Sequence, residues 1–472
     1  MNHFGKEISP VPGTSSEQQP RRRQVRQAGL TPSRGVQEKL RITCIYATAW
    51  HLADGAAGGE LGGHLQLWRF EQYYRLSADQ LPAVLHRETL DPSTLQFQRW
   101  QHAGQLTGAQ IWLFRLPSGQ VVTALSLDMH LELIHTIDLL EDCYFADVRA
   151  SEATIEAYAR TMATQLGAAT GDGPDFLPER HQLVLAESPA PSAGDGEDLI
   201  QRLIYRADLP YQKEYSAIRY PTELNRRPGW LAAVGPYVSV IRGHRDFIQN
   251  SIFVSAVQAV AAAAQLRAIR HAAYADVRLF RDFEAAHGTT QARRRALERI
   301  ADQLGDLELE LSYSVEATAD LGLLVPSLRA ESFHNALYES MGLAAKAATA
   351  GRMLQRLSAA IRAELTAIES IERRSDDNRR VRYAVAVGFV SAVAIPASLI
   401  LAYLGINASQ VNSKLSMFSQ RYLGMYLTIA GVIVLGVLLS VGLYVQQRRD
   451  ARKQHSLGQR PRWNLVPDEP QV

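Results

Sequence analysis

Cysteine is scarce in this sequence, since only Cys44 and Cys143 occur among 472 residues. Two thiols are too few for a disulfide framework or a thiolate zinc cluster, so a reducing cytosol is expected around the soluble part. The histidines form no HExxH motif and no close ligand pair, and the chain contains no P-loop, GxSxG or GxGxxG motif. The sequence therefore predicts neither an enzyme nor a covalently bound cofactor.

A strong excess of one charge sign is also missing, because the net charge is only +2. This balance argues against a protein that binds a specific nucleic acid. Basic residues do concentrate in the polar segment 1–38, which contains RRRQVR and is typical of a disordered arm. The arm has no apolar core of signal-peptide type, so secretion is not expected.

Two runs near the C-terminus contain no charged side chain, the first over 383–406 and the second over 422–445. As a helix, each run is long enough to cross about 30 Å of hydrocarbon. The sequence therefore predicts two transmembrane helices, the second over 422–446, joined by an outer loop over 408–421. The alternative, a buried helical hairpin in a soluble core, fits poorly beside the charged residues that flank both runs.

Basic residues lie on one side of this predicted pair of spans. They are Arg373, Arg374, Arg379, Arg380 and Arg382 before the first run, and Arg448, Arg449, Arg452 and Lys453 after the second. By the positive-inside bias, both termini and the basic tail 447–472 lie in the cytoplasm. The sequence thus predicts a multi-pass protein of the inner (plasma) membrane that contacts membrane lipid.

The part before these runs is typical of an α+β cytoplasmic domain over 39–243. Apolar or alternating runs predict strands, and a helical pattern covers 152–166. The expected strands are 41–46, 65–70, 111–116, 120–127, 182–186, 199–205 and 237–242. The composition of 187–198 predicts a surface loop that could divide the domain into two halves.

After residue 243 the pattern becomes helical. We expect paired cytoplasmic helices over 244–331, from 246 to 286 and from 291 to 324, and then a stalk helix over 332–407 that continues into the first span. Six apolar residues of the stalk recur at three- and four-residue steps, namely Leu354, Leu357, Ile361, Leu365, Ile368 and Ile371. Such a narrow stripe favours bundling with copies of the same chain.

The stretch IPASLILAYLGIN, over 395–407, resembles the pore helix of the CorA superfamily of metal-ion transporters. In that family the first span carries a proline and then, near its outer end, a Gly-Met-Asn signature, which corresponds here to Pro396 and Gly405-Ile406-Asn407. The order of domain, paired helices, stalk, spans and basic tail also agrees. The resemblance implies a CorA-like homopentamer that conducts divalent cations, with magnesium or another divalent cation as substrate and regulator.

The resemblance also implies a role for each polar residue near the outer end of the span. The predicted selectivity residues are Asn407, Gly405, Ile406 and Ser398. Uncharged oxygens such as the Asn407 amide suit a hydrated divalent cation, because they hydrogen-bond its water shell reversibly. Pro396 removes one backbone hydrogen bond and predicts a kink. The alternative is that Asn407 caps a helix end and Pro396 is a lipid-side kink.

An apolar gate is expected below these residues. Ile395 corresponds to the family's gating position, and we expect Val387 and Ala384 on nearly the same face as Ile395 and Asn407. Rings of such side chains can close a pore by excluding water. The basic tail residues Arg448, Arg449, Arg452 and Lys453 correspond to the family's basic ring around the stalk, and they are equally a topology signal.

Two departures from the family bear on the ion. Ile406 replaces the methionine of the signature, and the outer loop has no carboxylate but carries Lys414 and Arg421. Positive charges at a pore mouth repel divalent cations by about 1 kcal/mol or more per close pair. Divalent cations, anions and a weakly selective pore therefore all remain open.

Gating in the family depends on a metal held between carboxylates of neighbouring cytoplasmic domains. Two acidic sets are candidates here, either Asp302, Asp306, Glu308 and Glu310, or Asp138, Glu141, Asp142 and Asp147. Each set is also what a solvated protein face looks like. An alternative function is a CorA-like membrane effector of a prokaryotic defence or conflict system, opened by a small-molecule or nucleotide-type signal. A third interpretation is a non-conducting membrane scaffold.

Overall fold

The computed structural model describes residues 37–52, 80–170, 174–189, 196–209, 216–285, 290–316 and 327–406, and single positions between 420 and 445. These residues form a mixed α/β region followed by long helices, as the sequence predicted. Two compact units are distinguished: the first joins the chain up to Ala272 with Leu307–Arg352, and the second joins Ala273–Asp306 with the chain from Met353 onward. Residues 1–36 of the predicted arm, the loop residues 408–419 and the tail 447–472 lie outside the described part.

The first unit is built on a mixed sheet. Its strands are β1 (Glu38–His51), β2 (Ala83–Leu90), β3 (Leu95–Phe97), β4 (Leu106–Arg115), β5 (Gln120–Leu131), β6 (Val148–Ala150), β7 (Ala153–Thr154), β8 (Phe176–Ala186), β9 (Leu231–Val234) and β10 (Val238–Arg242). Seven strands pair in the order β2-β4-β5-β1-β8-β10-β9, and the other three form a small sheet. All neighbours in the large sheet are antiparallel except β8 and β10, which are parallel.

The helices are α1 (Ile137–Phe145), α2 (Ile155–Gln165), α3 (Glu197–Tyr205), α4 (Asp246–Ala285), α5 (Thr290–Leu311), α6 (Leu328–Ser340) and α7 (Leu343–Ile406). A short π-helical turn, Ser312–Glu316, follows α5. Thr154 and Ser327 are the N-caps of α2 and α6, where each side chain accepts a backbone hydrogen bond. Gly342 separates α6 from α7 with φ of 66°, so the predicted single helix from 332 is interrupted at this point.

Helices cover both faces of the large sheet, which explains why its central strand is apolar on both sides. One face of β1, with Ile42, Cys44 and Tyr46, belongs to a core that includes Leu140 of α1 and Leu203 of α3. The opposite face packs on α4. There the ring of Phe253 meets Phe114 edge-on, with ring centroids 5.2 Å apart. Burial of both faces produces the near-continuous apolar sequence of β1.

Five expected strands are confirmed, in β1, β4, β5, β8 and β10, and the helix expected over 152–166 corresponds to α2. The strand expected over 199–205 is wrong, because this segment is α3. Its Ile200, Leu203 and Ile204 are buried at helical spacing, with Glu197 and Asp198 in the first turn. The region 187–198 does not divide the domain, since β10 pairs directly with β8. The strand expected over 65–70 lies outside the described residues.

One described helix, over Ile248–Asp282 of α4, is long and apolar enough to cross a membrane, with a mean hydropathy of 1.6 in its most apolar window. However, 83% of that window is buried inside the protein. Contacts to the sheet account for this burial. Besides Phe253, Gln265 donates a hydrogen bond to the Ser118 hydroxyl at 2.6 Å. The apolar composition of α4 is therefore that of a core helix packed on a sheet.

The second unit brings α5 beside α7. The Arg293 guanidinium lies 2.8 Å from Glu364, and that of Arg294 lies 3.1 Å from Glu372. The stalk residues Leu354, Leu357, Ile361 and Ile368 are buried within the single chain. The prediction that this stripe packs against copies of the chain is therefore wrong, because the chain's own helices already cover it. Ile371 is exposed, and it marks where this cover ends.

Because two histidines are buried, we expect the protein to lose stability in mild acid. Burial lowers the pKa of His181 to about 3 and that of His244 to about 4. Below the ordinary pKa of about 6.5, these two histidines are protonated in the unfolded chain but stay neutral in the folded protein. The free energy of unfolding therefore falls between about pH 6.5 and pH 4, by up to about 1.4 kcal/mol per pH unit for each histidine. Urea midpoints at pH 7.5 and pH 5 measure this effect.

His181→Gln should flatten the pH dependence of the urea midpoint, whereas His130→Gln, at an exposed position, should not. Identical slopes in wild type and His181→Gln would contradict the argument.

Candidate functional site

The predicted pore segment forms the last part of α7. Pro396 lies within the helix, and Gly405 and Ile406 are its last two residues. Asn407 lies outside the described residues. The Ser398 hydroxyl donates to the carbonyl oxygen of Ala394, one turn earlier in the same helix. Because its single proton is used in this bond, the hydroxyl oxygen is left as a hydrogen-bond acceptor.

Because α7 is continuous up to Ile406, its residues keep a fixed angular relation to one another. At 100° per residue, the positions Ala384, Val387, Ile395, Ser398, Gly405 and Ile406 fall within an arc of about 100°. The predicted selectivity and gate positions of α7 therefore share one face. Asn407, which is also expected on this face, lies outside the described residues, so its placement stays a prediction.

Large apolar side chains are exposed along this part of the chain. In α7 they are Val381, Tyr383, Val387, Phe389, Val390 and Ile395, and at described positions of the second run they are Leu423, Tyr426, Leu427, Val434, Leu435, Leu438, Val441 and Val445. Val387 and Ile395 are 59% and 58% exposed. Such a large exposed apolar surface is typical of a membrane or protein contact. It contrasts with α4, whose most apolar window is 83% buried.

Basic residues lie immediately before the exposed apolar segment. Arg379, Arg380 and Arg382 are exposed on α7 and form no ion pair among the described residues, whereas Arg373 lies 3.6 Å from Glu369. The other predicted basic cluster, from Arg448 to Lys453, lies outside the described part of the chain. The described arginines thus directly precede the exposed apolar part of α7.

The first acidic set lies on α5 and does not form a metal site by itself. Asp302, Asp306 and Glu310 are exposed, and Glu308 is half-buried. Within the described residues, no group of three or more histidine, cysteine, aspartate or glutamate side chains is arranged to hold a metal ion. Any metal bound by these carboxylates therefore needs ligands from outside the described part of one chain.

The second acidic set contains two residues with structural roles. One Asp142 oxygen accepts hydrogen bonds from the backbone N–H groups of Arg99 and Trp100, at 2.8 and 3.0 Å. Glu141 lies 3.2 Å from Arg206. These carboxylates fix the loop before β4 and the end of α3, while Asp138 and Asp147 are exposed. The structure thus favours the interpretation of this set as part of the folded framework.

One group of side chains that no sequence pattern indicates meets at the open end of the β9–β10 hairpin. It consists of Arg227, Trp230, His244 and Arg329. Its only local signal is the run Arg226-Arg227-Pro228-Gly229-Trp230, because His244 and Arg329 are distant in sequence. Strand pairing and the start of α6 bring these residues together.

Comparisons with protein families, with curated proteins and with solved structures found no match to this chain. The geometry of the chain is therefore the basis for the functional argument below.

Proposed function

We propose that the protein is an oligomeric membrane channel of CorA type, in which the exposed end of α7 crosses the membrane and lines an ion pore. One observation carries the proposal. The helix α7 continues from Leu343 to Ile406, and its last, charge-free part exposes large apolar side chains immediately after a basic segment. Exposure of so many apolar side chains to water is unfavourable, whereas their contact with lipid hydrocarbon is favourable.

The second charge-free run supplies the other membrane helix in this proposal. Described positions between 423 and 445 are helical and carry exposed apolar side chains. Two spans in one chain leave the N-terminal unit and the basic tail on the cytoplasmic side. Since two helices cannot enclose a pore, several copies are required, and the resemblance to the CorA superfamily suggests five.

Along the shared face of α7, apolar residues come first and polar residues follow toward the outer end of the proposed pore. Along about 30 Å of helix, apolar Ala384, Val387 and Ile395 are followed by Ser398 and then Gly405. Apolar rings hinder the passage of water and ions, and acceptor oxygens above them suit the water shell of a cation. The Ser398 oxygen is such an acceptor, because its proton is bonded to Ala394. Asn407 would complete the mouth as a ring of amides.

Divalent cations, including magnesium, are the proposed substrates, and a metal between neighbouring chains is the proposed gate. The gate is supported by the exposed position of Asp302 and Asp306 on α5, where a second chain can approach. The alternative channel is one that stays closed until a small-molecule or nucleotide-type signal reaches the cytoplasmic unit. Both channels share the same pore, so one flux experiment tests the pore and then separates the two.

Ion flux into liposomes that contain the purified protein tests the proposal. We expect divalent flux that internal magnesium inhibits, and we expect Asn407→Ala or Ser398→Ala to reduce it at least about tenfold, since each removes a hydrogen bond to a hydrated cation in every copy. Thr428→Val is the matched control, because this hydroxyl lies in the second run and bonds its own helix at Gly424. It should leave the flux unchanged.

The remaining outcomes have distinct meanings. Flux that appears only after a nucleotide-type ligand is added would support the alternative gate and keep the pore. Equal flux in wild type, Asn407→Ala and Ser398→Ala would show that this face of α7 does not line the path. Absence of flux under every condition would leave a non-conducting scaffold.

A further inference from the structure

Two strands meet at a corner of the first unit where a partly exposed tryptophan lies beside a buried histidine. Because β9 and β10 are antiparallel, with Leu231 opposite Arg242, the residue before β9 and those after β10 are neighbours. These are Trp230 and Gly243-His244. The rings of Trp230 and His244 have centroids 4.9 Å apart. Strand pairing alone therefore places an indole and an imidazole in contact.

Backbone constraints hold this corner rigid. Gly243 has φ of 74°, and a Cβ there would lie 2.5 Å from the carbonyl oxygen of Gly229. The Asn225 side chain bridges the loop to β9, accepting from the N–H of Ala232 at 2.9 Å and donating to its carbonyl oxygen at 3.0 Å. The backbone N–H of Trp230 donates to the carbonyl oxygen of Arg227 at 3.0 Å. The loop before Trp230 is thus fixed before any ligand arrives, which lowers the entropic cost of binding.

Two arginines lie against this indole, and neither forms an ion pair with a carboxylate among the described residues. The guanidinium carbon of Arg227 is 4.8 Å from the centroid of the Trp230 ring, and that of Arg329 is 4.3 Å away. Because both distances are measured to the same centroid, the two guanidinium carbons are at most about 9 Å apart. The neighbouring Glu223 instead pairs with Arg226, at 3.1 Å. Partial burial and the charge of Arg227 lower the pKa of Arg329, and the charge of Glu223 only partly offsets this.

The start of α6 adds to the positive potential. Arg329 is the second residue of this helix, and Ser327 is its N-cap. The first N–H groups of a helix have no partner within it, and the helix dipole makes this end electropositive. The corner therefore combines two guanidinium groups with the N-terminus of a helix of 13 residues.

His244 is a buried polar group with an unused nitrogen at this corner. The side chain is 4% exposed, and its Nε2 lies 3.0 Å from the carbonyl oxygen of Leu224. A carbonyl only accepts, so Nε2 donates and Nδ1 carries a lone pair. Nδ1 has no hydrogen-bond partner among the described residues. A buried acceptor of this kind is costly unless something donates to it.

We propose that Arg227, Trp230, His244 and Arg329 form a binding site for a phosphate group. A phosphate carries about two negative charges at neutral pH, which matches the two arginines, and its oxygens suit planar guanidinium donors. A hydroxyl beside the phosphate would donate to His244 Nδ1, so a phosphomonoester with a neighbouring hydroxyl fits better than free phosphate. The site does not depend on the proposed pore, because all four residues belong to the first unit.

Calorimetric titration of the full chain, in a maltoside detergent that contains no phosphate, tests the site. The two probes are inorganic phosphate and glycerol phosphate. We expect saturable binding with Kd below about 1 mM for at least one probe, and Arg227→Gln and Arg329→Gln should each weaken it about tenfold or more. The matched control is Arg226→Gln, whose guanidinium pairs with Glu223; it should bind as wild type does.

The controls make the result decisive. Arg227 is exposed, so Arg227→Gln should keep the wild-type melting temperature, and a binding loss in that variant is not a folding defect. Tighter binding of glycerol phosphate would support the role of His244, and tighter binding of inorganic phosphate would show that free phosphate is the preferred source of the group. No saturation with either probe, or equal affinities for wild type and Arg227→Gln, would overturn the proposal.

Discussion

A chain that ends after Arg380 is expected to leave the membrane and to be recovered as a folded protein in the supernatant. This truncation removes both charge-free runs and the exposed apolar side chains that they carry. Each leucine, isoleucine, phenylalanine or valine at the centre of a span favours insertion by about 0.3–0.6 kcal/mol, so losing two runs rich in them removes the anchor. The apolar helix α4 remains, but most of its apolar window is already buried inside the protein. Fractionation with carbonate extraction measures the change.

A matched truncation separates the anchor from its consequences. A chain that ends after Asn407 keeps the first run and should stay in the carbonate-resistant membrane fraction. Circular dichroism of the chain that ends after Arg380 shows whether it has folded. If that folded chain still resists carbonate extraction, then α4 or another segment before residue 381 holds the protein in the membrane, and the proposed topology fails.

Replacement of Phe114 by alanine should destabilise the first unit by about 3–5 kcal/mol. The side chain is fully buried and meets Phe253 of α4 edge-on, with the rings inclined by 89°. The truncation leaves a cavity between the sheet and α4 and also removes an aromatic contact worth about 1 kcal/mol. Urea unfolding of the full chain in detergent, followed by tryptophan fluorescence, gives the free energy of unfolding.

Phe145→Ala provides the comparison for this substitution. This ring is 54% exposed at the end of α1, so its loss should cost no more than about 1 kcal/mol. The same side chain is thus removed once from the core and once from the surface. Similar costs for the two variants would mean that α4 is not packed on the sheet, and that its apolar surface needs another explanation.

The fold could be predicted where local pattern and burial agree. The strands β1, β4, β5, β8 and β10 have apolar or alternating sequences, and α4 begins and ends close to where the pattern indicated. Short strands such as β6 and β9 were missed because so few residues carry too little periodicity to distinguish them from loops. The segment of α3 was misassigned because Leu199, Ile200, Leu203 and Ile204 form a short apolar run that suits either structure.

The candidate pore was predictable in part for the same reason. Residues at fixed steps along one helix keep a fixed angular relation, so Ile395, Ser398 and Gly405 share a face once the helix is continuous. Asn407 lies outside the described residues, so its place relative to this face stays a prediction. The phosphate corner gave almost no signal, because Trp230, His244 and Arg329 come from three separate segments.

The sequence by itself determined that an α/β region precedes long helices and that two charge-free runs lie near the C-terminus. These properties follow from local composition, because backbone preference and solvent transfer act on each segment separately. Only the tertiary structure decided which apolar helices are covered. It buries α4 against the sheet and the stalk stripe against the chain's own helices, and it leaves the end of α7 exposed. Burial depends on contacts between segments far apart in sequence, and no local pattern specifies which partner will cover an apolar face.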